Sequence, residues 1–421
     1  MPDKARARAI FAAAIEAVRP QSLIPRRIQK TAEGFSVEEE DFPLSSEGKL
    51  YLFGSGKAVL PMADAIYPIL KEKIAGGILV SSYHDACPKG LTLIESCHPY
   101  PCQKSLEAGR ALLSSFEKMQ REDFFIYLLS GGSSALIEVP IEPVTLEEFV
   151  LTTQLLLKKS IPIGQINTVR KHLSQIKGGR LARVTAARGV VLAISDVIGD
   201  DLEAIGSAPL FKDGTTREDA VSVLQKAGIW EEVPKSVREV LCNPESETPK
   251  KERMGISHHI IANNRRALEG AKKAALELGM KVQIVTDTLA GDVCDVADFI
   301  MKKIMAASTD KRPLCLLFGG EPTVEVRGSG KGGRNQQLCL LLLEKIRHHP
   351  KITFLSGATD GIDGNSEAAG GVVSAEDYAS DMHDYLENND AFHYLKHHDA
   401  LLMTGPTGTN VMDVMIAIKG A

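Results

Sequence analysis

Residues 318–336, FGGEPTVEVRGSGKGGRNQ, bring together the groups that an anion site needs. Gly319, Gly320, Gly328, Gly330, Gly332 and Gly333 can take positive φ and let backbone N–H groups approach a ligand closely. Arg327, Lys331 and Arg334 add positive charge, and Glu321 adds one acid able to hold a metal. An apolar strand pattern, 314–318, precedes the stretch and a leucine-rich helical pattern follows it. The helix opening near Arg334 would add the positive end of its dipole to a bound phosphate or carboxylate. The same residues also suit a surface hairpin, with 323–326 alternating as a strand and 328–330 as its turn.

Other polar loops follow apolar strand patterns along the chain. GSGKA, 54–58, places Lys57 at a helix start, where its ammonium can neutralise an anion as a point charge. This turn resembles the start of a dinucleotide fingerprint. However, Val59 stands where the third glycine belongs, and the next strand ends at Ser81-Ser82 with no acid for a ribose. SGGSSA, with Ser130, Gly131, Gly132, Ser133 and Ser134, forms a nest of small residues, hydroxyls and amides suited to phosphate. It is not a GxSxG elbow, which argues against a serine hydrolase. HPYP, 98–101, offers His98 from a rigid loop. The helical stretch 167–182 carries Arg170, Lys171 and Lys177, either aimed at a ligand or on a solvated face. Asp196 opens SDVIGDDLEAIGSAP at a strand end, where a carboxylate can orient a hydroxyl nucleophile or hold Mg²⁺. Asp360 and Asp363, in SGATDGIDG, are spaced as metal or ribose ligands, or as an ordinary Asx turn.

The elements that must hold these loops alternate. Apolar strands at 49–54, 77–81, 91–94, 123–129 and 189–194 are separated by helical patterns at 57–70, 103–120, 145–159 and 165–187. The second half repeats the scheme with helices at 264–279, 293–305 and 334–348 and strands at 282–286, 314–318 and 352–356. Such alternation predicts an α/β protein with mostly parallel sheets in each half. At 421 residues the chain exceeds what one core usually organises. The polar run 242–255 places the boundary, giving domains 1–242 and 256–421. Ile10, Phe11, Ala14, Ile15 and Val18 form one apolar stripe, so the basic N-terminal segment reads as a helix of the fold rather than a presequence.

Composition excludes several classes. Net charge is −5 with no basic block, so nucleic acid is not an expected partner. The longest apolar run, 338–343, is far too short to cross a bilayer. Seven cysteines without tight spacing fit reduced thiols in a cytosol. Cys97 and Cys102 flank His98, but no second Cys/His pair follows to complete a zinc site. No Walker A or protein-kinase motif is present.

Taken in order, nine motifs resemble the glycerate 2-kinase family, whose C-terminal half is called the MOFRL domain. They are GSGKA, HPYP, LLSGGSSAL, NTVRKHLSQIKGGRLA, SDVIGDDLEAIGSAP, TDTLAGD, FGGEPTVEVRGSGKGGRNQ, GATDGIDG and GPTGTNVMD, and they cover nearly the whole chain. The resemblance implies two α/β domains around a cleft, the first Rossmann-like. It also implies ATP-dependent phosphorylation of D-glycerate, usually to 2-phosphoglycerate, with Mg²⁺ or another divalent metal. The family's lysine, aspartate and arginine match Lys57, Asp196 and Arg334, and its glycine-serine loop matches 131–134. His98, Asn335, Glu321 and Asp360 also lie in the family's motifs; from their residue types we expect His98 and Asn335 on substrate or phosphate, and Glu321 and Asp360 on the metal. The expected protein is cytoplasmic, monomeric or a homodimer, with only small-molecule partners. An NAD(P)H-dependent hydroxypyruvate reductase is the alternative that the GSGKA turn suggests.

Overall fold

The computed structural model describes residues 3–83, 86–309 and 311–420. It begins with α1 (Asp3–Val18), whose buried side chains include Ile10, Phe11, Ala14, Ile15 and Val18, the stripe expected from the sequence. Contacts divide the chain into two compact units. The first comprises Ile24–Ile194 and Asp200–Ile261; the second comprises Met1–Leu23, Ser195–Gly199 and Ala262–Ala421.

The first unit is built on a seven-stranded sheet. Its strands include β1 (Leu50–Ser55), β2 (Ile78–Ser81), β3 (Thr92–Glu95), β4 (Phe124–Leu129), β5 (Arg188–Ile194) and β6 (Ile256–Ala262), in the order β6-β5-β4-β1-β2-β3. The pairs β1–β2, β2–β3, β1–β4 and β4–β5 are parallel. Every residue of β4 is buried, as a parallel strand covered on both faces requires. The intervening helices include α2 (Val59–Leu70), α3 (Gln103–Lys118), α4 (Leu146–Lys158) and α5 (Ile163–His172).

Two features of this unit differ from the sequence expectation. The helical pattern at 165–187 stops at His172: Leu173 leaves helical geometry (φ −105°, ψ 2°), Ser174 bridges to Pro140, and left-handed Gly178 (φ 60°) and Gly179 (φ 80°) lead into a separate helical turn at Arg180–Arg183. The polar run at 242–255 lies inside the unit and is tied to it. His172 and Glu247 meet at 2.9 Å, Thr248 donates to Asp213 at 3.0 Å, and Lys171 pairs with the fully buried Asp213 at 3.0 Å. A stretch can be polar in composition and still be structural when each of its polar groups finds a partner.

Burial alone would raise the Glu247 carboxyl, but hydrogen bonds from Lys250, the Arg217 amide and His172 outweigh it and hold it at about 2. A depressed carboxylate contributes stability above its unfolded value, and that contribution is lost as pH falls towards 2. With solvent screening at this partly exposed group, the contribution at pH 7 is about 1–2 kcal/mol. Glu247→Gln is therefore expected to lower Tm at pH 7. The gap to the parent should close on acidification, and a constant gap down to pH 2 would reject the linkage.

The second unit holds a six-stranded sheet of β7 (Lys281–Asp292), β8 (Leu314–Thr323), β9 (Ile352–Ala358), β10 (Gly370–Ser374), β11 (Leu401–Leu402) and β12 (Asp413–Lys419), in the order β7-β8-β12-β9-β10-β11. Only β7–β8 is parallel among these pairs; β8–β12, β12–β9, β9–β10 and β10–β11 are antiparallel. The expected mostly parallel sheet thus holds in the first unit and gives way to a mixed sheet here. The cause is two reversed strands: β12 inserts between β8 and β9, and β10 between β9 and β11, each in the opposite direction to its neighbours. Both faces of these strands are buried, so apolar runs look alike in either orientation. The helices α6 (Asn264–Glu277), α7 (Val293–Ala306) and α8 (Arg334–Ile346) also belong to this unit. α1 packs on α6, and Gly270 permits the approach: a Cβ there would lie 2.4 Å from the Ala17 Cβ.

Candidate active site

In the first unit the glycine-serine loop follows β4. Gly132 takes φ 86° and caps a single helical turn, Ser133–Leu136. The Lys57 amide donates to the Gly131 carbonyl at 2.9 Å, which ties the two loops together. A Cβ on Gly132 would lie 3.2 Å from both His98 Cδ2 and Lys57 Cγ. The fold therefore brings Lys57, His98 and residues 131–134 to one place. Partial desolvation, then the Lys57 ammonium, hold the His98 imidazole below its ordinary value.

The serine hydroxyls serve the fold rather than facing outward as a phosphate nest. Ser130 Oγ accepts from the Ala58 amide at 3.0 Å. Ser133 Oγ bonds Ser55 Oγ at 2.6 Å, and Ser55 Oγ in turn bonds the Tyr127 hydroxyl at 2.7 Å. Ser134 Oγ bonds Ser207 Oγ at 2.6 Å. What the loop can offer an anion is its backbone, beside Lys57. Arg170 donates to the Ser134 carbonyl at 2.7 Å, and Lys177 pairs with the buried Glu138 at 2.5 Å. Together with Lys171 on Asp213, these cations are buried structural partners and form no solvated face. Cys97 and Cys102, expected as thiols, form a disulfide across the HPYP loop, because the turn between them returns the chain on itself.

In the second unit Arg334 stands at the start of α8 and is held by two acids. Its Nε and Nη2 donate to Asp413 Oδ2 and Oδ1 at 2.6 and 2.9 Å, and its Nη1 lies 3.0 Å from Glu321 Oε1. Asp413 is fully buried, whereas Glu321 is 43% exposed. Burial raises the Glu321 pKa; Arg334 opposes this, and the negative charges of Asp413, Asp196 and Asp360 add to it. These four carboxylates and one guanidinium thus form a single electrostatic cluster. Asp360 Oδ1 also accepts from the Ile362 amide at 3.1 Å, the Asx-turn role that its spacing allowed.

The α8 N-terminus, expected to receive an external anion, is capped by the protein itself. Asp363 accepts from the Asn335 and Gln336 amides at 3.1 and 2.9 Å and from Gln336 Nε2 at 3.0 Å. Burial pushes its carboxyl up to about 6. Gly333 makes room for this acid, since a Cβ there would lie 2.4 Å from Asp363 Cγ. Gly328 and Gly330 likewise clear the Asn388 carbonyl, so these glycines serve close packing of the loop on its own chain. Asn335 is fully buried, with its side chain between Asp363 and Ser356, and does not face a ligand. Beside this framework lies a cavity of about 530 Å³, lined in part by Glu321, Val324, Gly332, Gly333, Arg334 and Asn365. That volume is within the range of small-molecule sites.

Residues 6–242 match a family described as a domain of unknown function (DUF4147), and residues 314–413 match the MOFRL family. A glycerate 2-kinase of Pyrococcus horikoshii is 39% identical, over 96% of this chain and 94% of its own length. A D-glycerate 2-kinase of Thermotoga maritima is also 39% identical, over 90% of this chain and 93% of its own. The chain belongs to the glycerate 2-kinase family. The crystal structure of a Thermotoga maritima glycerate kinase superposes on this family member with TM-score 0.88 and 36% identity, covering 99% of this chain and all of that one. A putative hydroxypyruvate reductase of Agrobacterium vitis is 35% identical, over 90% of the chain and 89% of its own length.

The glycerate 2-kinase motifs contain one acid that sequence reasoning did not assign, Asp413, and one that it read differently, Asp363. Asp413 ends GPTGTNVMD and heads an apolar run, a signal that was available. Asp363 was noticed for its spacing, but nothing local showed that it turns onto α8. Among the described residues no group of three or more His, Cys, Asp or Glu is arranged to hold a metal. Of the two acids expected on the metal, Glu321 meets Arg334 through Oε1 at 3.0 Å, and Asp360 accepts from the Ile362 amide through Oδ1 at 3.1 Å. No helix among the described residues is long and apolar enough to cross a membrane.

Proposed function

We propose that this chain transfers the γ-phosphoryl group of ATP to the C2 hydroxyl of D-glycerate, giving 2-phosphoglycerate and ADP. The observation that carries the reading is the cluster at Arg334: a guanidinium fixed by Asp413, beside a cavity, with Asp196 and Asp360 in electrostatic reach of Glu321. Phosphoryl transfer needs positioning and charge neutralisation more than covalent chemistry. Asp196 accepts the proton of the attacking hydroxyl. Arg334 and Lys57 neutralise the substrate carboxylate and the transferring phosphoryl, with the backbone of 131–134 and His98 beside Lys57.

A divalent cation suits the carboxylate oxygens of Glu321 and Asp360. Mg²⁺ commonly needs only one or two carboxylates and takes its other ligands from water and phosphate. When bound it would neutralise phosphate charge. Phosphorus NMR of the product from ATP and D-glycerate tests the reading. A resonance of 2-phosphoglycerate is expected, while 3-phosphoglycerate would overturn the regiochemistry and no phosphorylated product would overturn the reaction.

The hydroxypyruvate reductase reading draws on the Agrobacterium relative. Against it, the fully buried Val59 stands in place of the third fingerprint glycine, and its side chain fills the space beside Gly54. NADH oxidation with hydroxypyruvate in the absence of ATP would reverse the order of the two readings.

A further inference from the structure

We infer that Asp413 is a positioning residue for the phosphoryl transfer, holding Arg334 in its working orientation; the inference rests on the kinase reading above. Asp413 heads β12, the strand between β8 and β9, and pairs in register with Gly320 on one side and Ala358 on the other. Its backbone is fixed further by Asn264, whose Nδ2 donates to the Val411 and Asp413 carbonyls at 2.8 and 2.9 Å. Asn264 in turn packs on Gly319, where a Cβ would lie 1.6 Å from Asn264 Oδ1. A side chain on a central strand, with its backbone held from three sides, is a rigid base.

The carboxylate grips one edge of the guanidinium. Each oxygen takes one N–H, from Nε and from Nη2, and the pair is planar and bidentate, a geometry that lysine cannot reproduce. Asp413 is fully buried, while Glu321 meets the guanidinium through Nη1 alone and is 43% exposed. The two acids are therefore unequal. Asp413 is the permanent anchor behind Arg334, and Glu321 is the partner on the cavity side. With Nε and Nη2 committed, the planar group has one orientation, and its Nη1 side is presented to the cavity that Arg334 and Glu321 both line. A misplacement of about 1 Å in such a group can cost 10²-fold in rate.

The test is a double-mutant cycle on kcat and KM, with Tm measured for each protein. Asp413→Asn is expected to lower kcat about 10–100-fold, with KM for ATP and D-glycerate changing much less. If Asp413 acts through Arg334, adding Asp413→Asn to Arg334→Ala should cost nothing further. A merely structural acid would instead multiply the two losses and lower Tm in both backgrounds. Should Asp413→Asn not fold, Asp413→Glu supplies the same cycle, since it keeps the charge but displaces the fork by one methylene. An Asp413 variant within twofold of the parent kcat, or losses that multiply, would overturn the inference. Full kcat in Arg334→Ala would overturn the site assignment itself and the anchor role with it; a disabled Arg334→Ala beside an active Asp413→Asn would overturn the anchor alone.

Discussion

Asp196→Asn should yield a folded enzyme with turnover lowered roughly 10³-fold, the scale of a lost general base. The residue follows β5 in a segment pinned by Ser195, whose amide donates to the Ala262 carbonyl at 2.9 Å and whose hydroxyl donates to the Val197 carbonyl at 3.3 Å. These two hydrogen bonds of Ser195 help hold the backbone that carries the carboxylate. Asparagine keeps the shape and removes the basic oxygen. The asparagine would also remove one of the negative charges that raise Glu321, so the Glu321 carboxyl should titrate lower in the variant. Steady-state ADP release, with a thermal melt alongside, reads the first effect, and carbon-detected titration of Glu321 reads the second. A rate merely halved would leave Asp196 without the role of base.

Arg334→Ala and Lys57→Ala are each expected to lose about 10²-fold or more in kcat, near 3 kcal/mol of transition-state stabilisation. The two losses should differ in kind. Removing Arg334 also strands Asp413, a fully buried acid, and breaking a buried pair costs about 3–5 kcal/mol of stability. Arg334→Ala should therefore show a clear fall in Tm together with its rate loss. Lys57 sits at a helix start with a half-buried side chain, and its replacement should cost rate with little change in Tm. Arg334→Lys separates charge from geometry: it keeps the positive charge but not the fork on Asp413. Parental kcat in both alanine variants would refute the assignment.

Several features were readable from residues alone because they are local. The apolar runs of β1, β4 and β5, punctuated by glycine-rich turns, identify a parallel sheet and place Lys57 and the loop 131–134 at strand ends. The stripe on α1 is a matter of 3.6-residue spacing. Other features were hidden because long-range partners decide them. Arg170, Lys171 and Lys177 have the composition of a wet helix face, and only Ser134, Asp213 and Glu138 turn them inward. The direction of β12 is not encoded in its apolar pattern, since a strand buried on both faces reads the same either way.

By itself the sequence determined the family, the alternation of strands and helices, and the identity of the charged groups at the strand ends. These follow from residue type and short-range spacing, which fix local conformation and the menu of chemistry. Only the tertiary structure decided how those charges are spent. Arg334 is bound by an aspartate 79 residues away, and the α8 amides are taken by an acid 28 residues away. A carboxylate satisfies whichever donor the fold carries to within about 3 Å, and no local pattern records that choice.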